Sequence, residues 1–205
     1  MPPRSYVSPA RSAAAAETRE RVIAAASQAL REGESIARFS LDSVAKAAGV
    51  TRLTVYNQFG SRRGLLEAVF DEIGRSGGLH RLADIMTMGD PRAALDRLAE
   101  IFCAFWSGDA AVGRLNDAMA TDPEFAEAVR ERNERRRKSL TVLIDRLAAK
   151  TASAHARKDA VDLIFALTGY PTYAALSPGR SRDDVCRVVQ AACRAAIEPL
   201  SDRPD

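Results

Sequence analysis

Apolar residues recur along this chain at spacings of three and four, and no stretch alternates with a period of two, so the pattern predicts an all-α protein. The first amphipathic stripe, Val22, Ile23, Ala26 and Leu30, predicts a helix over Thr18 to Glu32, with Gly33 just past its end. Ser40 can cap a second helix carrying Leu41, Val44, Ala45 and Ala48 on one face, and Gly49 ends it. Thr51 caps a third, with Val50, Val55 and Phe59 pointing inward. Ser61 caps a fourth, in which Leu65, Leu66, Val69, Phe70 and Ile73 repeat at helical spacing.

The pattern weakens over Gly74 to Gly78 and then resumes with clear punctuation. Asp90-Pro91 and Asp122-Pro123 each read as a capping Asp followed by Pro at the first helical position, where the missing amide costs nothing. They open helices to about Ser107 and about Thr151, with a shorter helix from Asp109 to Thr121 between them. Two more close the chain, about Arg157 to Leu176 and about Arg182 to Leu200. Pro171 is expected to kink the former near Leu167 to Gly169, and Ser181 with Asp184 has capping-box spacing for the latter. The division expected is a flexible arm over residues 1–16, a small domain over 17–75 and a larger helical domain over 76–200.

The stretch Ser40 to Phe59 has the form of a helix-turn-helix. Its second helix leaves Arg52, Leu53, Thr54, Tyr56, Asn57 and Gln58 facing out. Arg bonds guanine edges bidentately, Leu touches a thymine methyl, and Thr, Tyr, Asn and Gln donate to phosphate oxygens without adding charge. Arg52, Leu53 and Thr54 are therefore the candidates for base contact, and Tyr56, Asn57 and Gln58 for phosphate contact. Arg62 opposes the dipole of the fourth helix from its first turn, a conflict that an anion would relieve.

These residues resemble the TetR (tetracycline-repressor) family of transcriptional regulators. The match runs from residue 18 to 73 and rests on Phe39-Ser40-Leu41, Ala45, Gly49-Val50-Thr51, Thr54-Val55-Tyr56, Asn57-Gln58-Phe59, Ser61-Arg62 and Leu65-Leu66. The chain departs from the family pattern at Asp42, Leu53 and Arg63-Gly64. The resemblance implies an N-terminal three-helix DNA-binding domain, a larger C-terminal bundle for ligand binding and dimerisation, and a phosphate-contact role for Arg62. It also implies a homodimeric repressor on a palindromic operator in double-stranded DNA, paired through the last two helices. There the candidates are Val161, Ile164, Val185, Cys186, Val189, Ala192, Cys193 and Ala196, against the competing reading of an internal core.

For an effector pocket the candidates are Phe102, Phe105, Trp106, Met119, Leu143 and Tyr170. Large apolar groups with one hydroxyl and one indole amide suit a small apolar effector. Arg135-Arg136-Arg137-Lys138 is expected to be a solvated, salt-bridged surface, since a helix spreads four successive residues around its circumference.

Composition adds limits. Hydrophobic residues at 46% and charged residues at 28% describe an ordinary soluble protein, and no run reaches the ~18–20 apolar residues of a membrane span. With no apolar segment like a secretory signal after Met1, a cytoplasmic chain is expected. The net charge of +3 is small, but residues 1–75 hold 11 Lys and Arg against 8 Asp and Glu, so the excess lies in the DNA-reading part. Three cysteines without paired short spacing give neither a disulfide framework nor a zinc site, and His80 and His155 are solitary. Cys186 and Cys193, seven apart, invite a redox role for which small buried Cys is the simpler reading. No catalytic, metal or cofactor motif is found. The rival readings are an effector-independent regulator, and a helical small-molecule carrier or enzyme with a vestigial DNA motif.

Overall fold

In the computed structural model, which describes residues 9–33 and 35–200, every regular element is helical. The helices are α1 (Pro9–Glu32), α2 (Leu41–Ala48), α3 (Arg52–Phe59), α4 (Arg62–Ser76), α5 (Leu82–Ile85), α6 (Pro91–Gly108), α7 (Ala111–Thr121), α8 (Pro123–Leu147), α9 (Ala154–Leu167), α10 (Tyr170–Leu176) and α11 (Arg182–Ile197). No helix of the described residues is long and apolar enough to cross a membrane.

Local chemistry fixes most of the helix starts. Ser40 accepts from the Ser43 amide while the Ser43 hydroxyl accepts from the Ser40 amide, which satisfies two otherwise orphaned donors reciprocally. Thr51, Ser61, Asp122 and Ser181 likewise accept from the amides of Thr54, Gly64, Phe125 and Asp184.

The ends differ from expectation for identifiable reasons. α1 begins at Pro9 rather than Thr18, because Ala13 to Ala16 are strong helix formers and extend the helix upstream. Of the expected arm, residues 1–8 lie outside the described residues. α8 stops at Leu147, where Ala148 turns extended, and α11 gives way after Ile197 to a single 3₁₀ turn, Glu198–Leu200. The helix expected to kink at Pro171 is broken outright. Pro171 has no amide to return to Leu167, so α9 ends there and α10 restarts after Gly169 with Pro171 in its first turn.

Two apolar cores hold these helices. One joins α1 to α4 through Val22, Leu30, Val44, Val55, Leu66 and Val69, and reaches Phe105, Leu115 and Phe125 of α6, α7 and α8. The other packs α6, α8, α9 and α11 around Leu95, Leu143, Ile164, Val189 and Cys193. Trp106 and Leu79 pack against both. The small N-terminal unit is thus seated on α7 and the start of α8 by shared core.

Two glycines shape the part that carries α3. Gly49 lies at φ 65 and ψ 35, left-handed backbone that a side chain would strain, and this turns α2 into α3. Gly64 sits where a Cβ would lie 2.0 Å from the Phe59 carbonyl oxygen, so only glycine lets α4 start so close to the end of α3.

Candidate nucleic-acid interface

α3 buries Val55 completely and half-buries Phe59, which fixes its roll against α1, α2 and α4. Arg52, Leu53, Tyr56 and Asn57 then lie along one outward strip, since positions i, i+1, i+4 and i+5 share a helix face. Leu53 is 65% and Tyr56 56% exposed, values otherwise unusual for large apolar side chains in this chain. The hydroxyl of Thr51 both caps the helix and meets that of Thr54 at 2.9 Å.

Three of the expected contact residues are drawn back from that strip. Thr54 and Gln58 are half-buried; the Gln58 side-chain amide donates to the Ala15 carbonyl at 3.1 Å, and Arg19 donates back to the Gln58 carbonyl at 3.2 Å while lying over the Phe59 ring. Gln58 thus ties α3 to α1, whereas Thr54 bonds only the cap of its own helix. Arg62 is turned inward. Its Nη1 pairs with Asp122 at 2.5 Å, and Nε and Nη2 donate to the carbonyls of Phe39 and Ile36 at 3.2 and 3.4 Å. The anion that relieves this cation at a helix start is therefore the carboxylate that also caps α8.

Sequence reasoning missed the partner of Arg52. Asp42, one of the departures from the family pattern, holds the Arg52 guanidinium at 3.4 Å with both side chains largely exposed. So loose a pair leaves the guanidinium available to a stronger acceptor.

Behind the interface lie two cavities of about 340 and 350 Å³, sizes within the range of small-molecule sites. Trp106, Met119 and Tyr170 line the first, and Phe102, Phe105, Trp106 and Leu143 the second, so all six pocket candidates stand on cavity walls. Phe70 of α4 and Asn133 and Arg136 of α8 are common to both. The rings form a continuous run, with Phe105 to Trp106 at 4.5 Å and Trp106 to Tyr170 at 5.7 Å between centroids. The broken end of α9 supplies part of the first wall through Gly169 to Thr172.

The basic run of α8 is not uniformly solvated. Arg135 and Lys138 are exposed and Arg137 pairs with Asp162, but Arg136 points into the bundle. The expected pairing surface needs a similar correction. Val161, Ile164, Val185, Val189 and Cys193 are core residues of the single chain with little or no surface left for a second copy, whereas Cys186, Ala192 and Ala196 are half-buried. The large exposed apolar side chains of this region are instead Val142, Leu163 and Val188. Burial pushes the Cys193 thiol up to about 12 and raises that of Cys186, which keeps both protonated and poorly nucleophilic.

Two short capped helices at a glycine turn, seated on an all-helical body with internal cavities, define a helix-turn-helix protein. Residues 22–69 match the model of the bacterial regulatory proteins, tetR family. The chain is 32% identical over 114 residues to the HTH-type transcriptional regulator EthR of Mycolicibacterium smegmatis, an alignment covering 54% of this chain and 52% of that protein, so it spans about half the length of that curated relative. Its fold resembles a transcriptional regulator from Rhodococcus sp. Rha1, with TM-score 0.69 and 19% identity over 91% of this chain and 99% of the other. It also resembles NalD of Pseudomonas aeruginosa, the secondary repressor of the MexAB-OprM multidrug efflux pump, with TM-score 0.64 and 19% identity over 89% and 96%. The likeness to tetR-family regulators thus lies in the N-terminal segment that holds the helix-turn-helix, and the likeness of the whole chain to these structures is one of fold.

Proposed function

We propose that this protein is a ligand-responsive repressor that binds a palindromic DNA operator as a homodimer. The observation that carries the DNA reading is the outward strip Arg52, Leu53, Tyr56 and Asn57 on a helix whose start, roll and turn are all locally fixed. Arg52 and Leu53 meet bases, and Tyr56 and Asn57 meet phosphates. Gln58 and Arg62 serve by holding α3 and α4 in place, and Thr54 by closing the cap of α3 with Thr51. Replacing Arg52 with Ala is expected to weaken operator binding by about 1–3 kcal/mol and to relax specificity at one base pair, with far less loss on random duplex. Gel shifts on both DNAs test this, and equal losses on the two would refute the assignment of Arg52 to bases.

Pairing through the outward side of α8, α9 and α11 is supported by the exposed Val142, Leu163 and Val188, since solvated side chains of this kind gain from a second copy. Leu163→Glu is expected to give a folded monomer by analytical ultracentrifugation; an unaltered dimer would put the contact elsewhere.

The link from effector to DNA is supported by four arginine contacts between the N-terminal unit and the rest. Arg31 pairs with Asp109 at 2.6 Å, Arg62 with Asp122, Arg132 with Asp71 and Glu67, and Arg114 donates to the Gly33 carbonyl at 2.9 Å. Phe70 lines both cavities and belongs to α4, the helix that follows α3. A ligand that prefers one position of α4 shifts the chain between DNA-competent and incompetent forms by no more than its difference in affinity for them. The two open cavities also count against an effector-independent regulator with a collapsed pocket.

A further inference from the structure

The guanidinium of Arg136 is an unusual object to find in an aromatic wall. It lies 4.1 Å from the ring centroid of Phe102 and 4.6 Å from that of Phe165, so two aromatic rings pack against it. Nη2 donates to the Phe165 carbonyl and to the Thr168 hydroxyl. Nε is buried without a hydrogen-bond partner, and among the described residues Nη1 has no acceptor and no carboxylate forms an ion pair with Arg136. Arg137, the next residue, adds repulsion and is itself committed to Asp162.

A buried charge normally carries a partner, because desolvation costs several kcal/mol that only an opposite charge or a full set of acceptors offsets. Burial, and then Arg137, pull the Arg136 guanidinium down to about 10, which leaves it charged at neutral pH. The acceptor deficit falls where ligand space exists, as Arg136 and Asn133 line both cavities; Asn116 and Thr172 in the first and Arg132 and Ser139 in the second are the other polar side chains of walls that are otherwise mostly aromatic or aliphatic. Both cavities are mostly apolar, so a small inorganic anion would leave them unfilled, whereas a fully apolar molecule would leave the guanidinium unanswered.

We propose that the cavity receives an amphipathic carboxylic acid, its carboxylate on Arg136 and its apolar body among Phe70, Trp106 and Tyr170. This names the ligand class and the anchoring residue. It rests on the ligand-responsive reading above only for the consequence of binding, not for binding itself.

Trp106 is the single tryptophan of the chain and lines both cavities, so its emission reports occupancy directly. Three probes of equal chain length and different head group, decanoate, decanol and decylamine, are titrated into the full-length protein while Trp106 fluorescence is followed. Decanoate is expected to bind at least about ten-fold more tightly than either of the others, the factor that one charge-assisted contact supplies. In Arg136→Met, decanol binding is expected to persist and the preference for decanoate to vanish; Arg136→Lys should retain part of it. Decanol binding as tightly as decanoate, preference persisting in Arg136→Met, or no response to any probe would each overturn the proposal. If Arg136→Met fails to fold by circular dichroism, the wild-type series of three head groups decides alone. DNA release is scored separately. Decanoate that binds at Trp106 without altering DNA affinity supports the site and counts against the ligand-responsive reading, so the two fail distinguishably.

Discussion

Replacing Arg62 with Ala is expected to destabilise the chain by about 2–3 kcal/mol, several times the effect of removing a surface ion pair. Arg62 is 29% and Asp122 13% exposed, so the pair is neither fully buried nor freely solvated, and the expectation sits below the ~3–5 kcal/mol of a wholly buried pair. Truncation strands the Asp122 carboxylate, removes donors from the carbonyls of Phe39 and Ile36, and uncovers the Phe39 ring. Arg63→Ala is the matched control. Its partner Glu67 lies one helical turn away on the same helix, and such solvent-screened pairs contribute little. Urea denaturation of both variants, read as a shift in midpoint at constant slope, makes the comparison. Equal shifts would mean that Arg62 is only a surface charge. Because Arg62 ties the start of α4 to the cap of α8, its loss should also weaken binding to every DNA sequence.

Gly64→Ala carries the second large effect, and there two forces oppose one another. Alanine within a helix is favoured over glycine by about 1 kcal/mol, which would make the variant more stable. Against that, the added Cβ would sit 2.0 Å from the Phe59 carbonyl oxygen, a backbone atom that cannot swing aside as a side-chain tip can. Overpacking against backbone costs about 1–3 kcal/mol, so net destabilisation is expected. The relief available is to push the end of α3 away from α4, and DNA affinity should fall with stability. A variant more stable than the parent would mean that the α3 to α4 turn yields freely.

Much of this was legible in the sequence because the signals are local. Ser40, Thr51, Ser61, Asp122 and Ser181 cap helices by reaching three residues ahead, and Gly49 adopts its backbone form on steric grounds alone. What was not legible depends on partners distant in sequence. Arg62 read as an unpaired cation because Asp122, its anion, is sixty residues further on. Gln58 read as outward because nothing in the helical spacing reveals that α1 begins early enough for Ala15 to meet Gln58. Arg136 was hidden by its neighbours, although a signal was present. Phe125, Val129, Arg132, Arg136, Leu140 and Leu143 follow one inward stripe at spacings of three and four, and that stripe outranks the local appearance of a basic run. The pairing residues misread for a related reason, since small and β-branched side chains suit a helix interface equally well whether the second helix belongs to the same chain or to another.

The most direct test of DNA reading by α3 is selection of bound duplexes from a random pool by the purified full-length protein, followed by salt titration of the winners. The expected result is an inverted repeat whose half-sites are centred about one helical turn apart, ~34 Å or a multiple of it, bound less tightly as salt rises. A pool that emerges unenriched, or binding indifferent to salt, would contradict it.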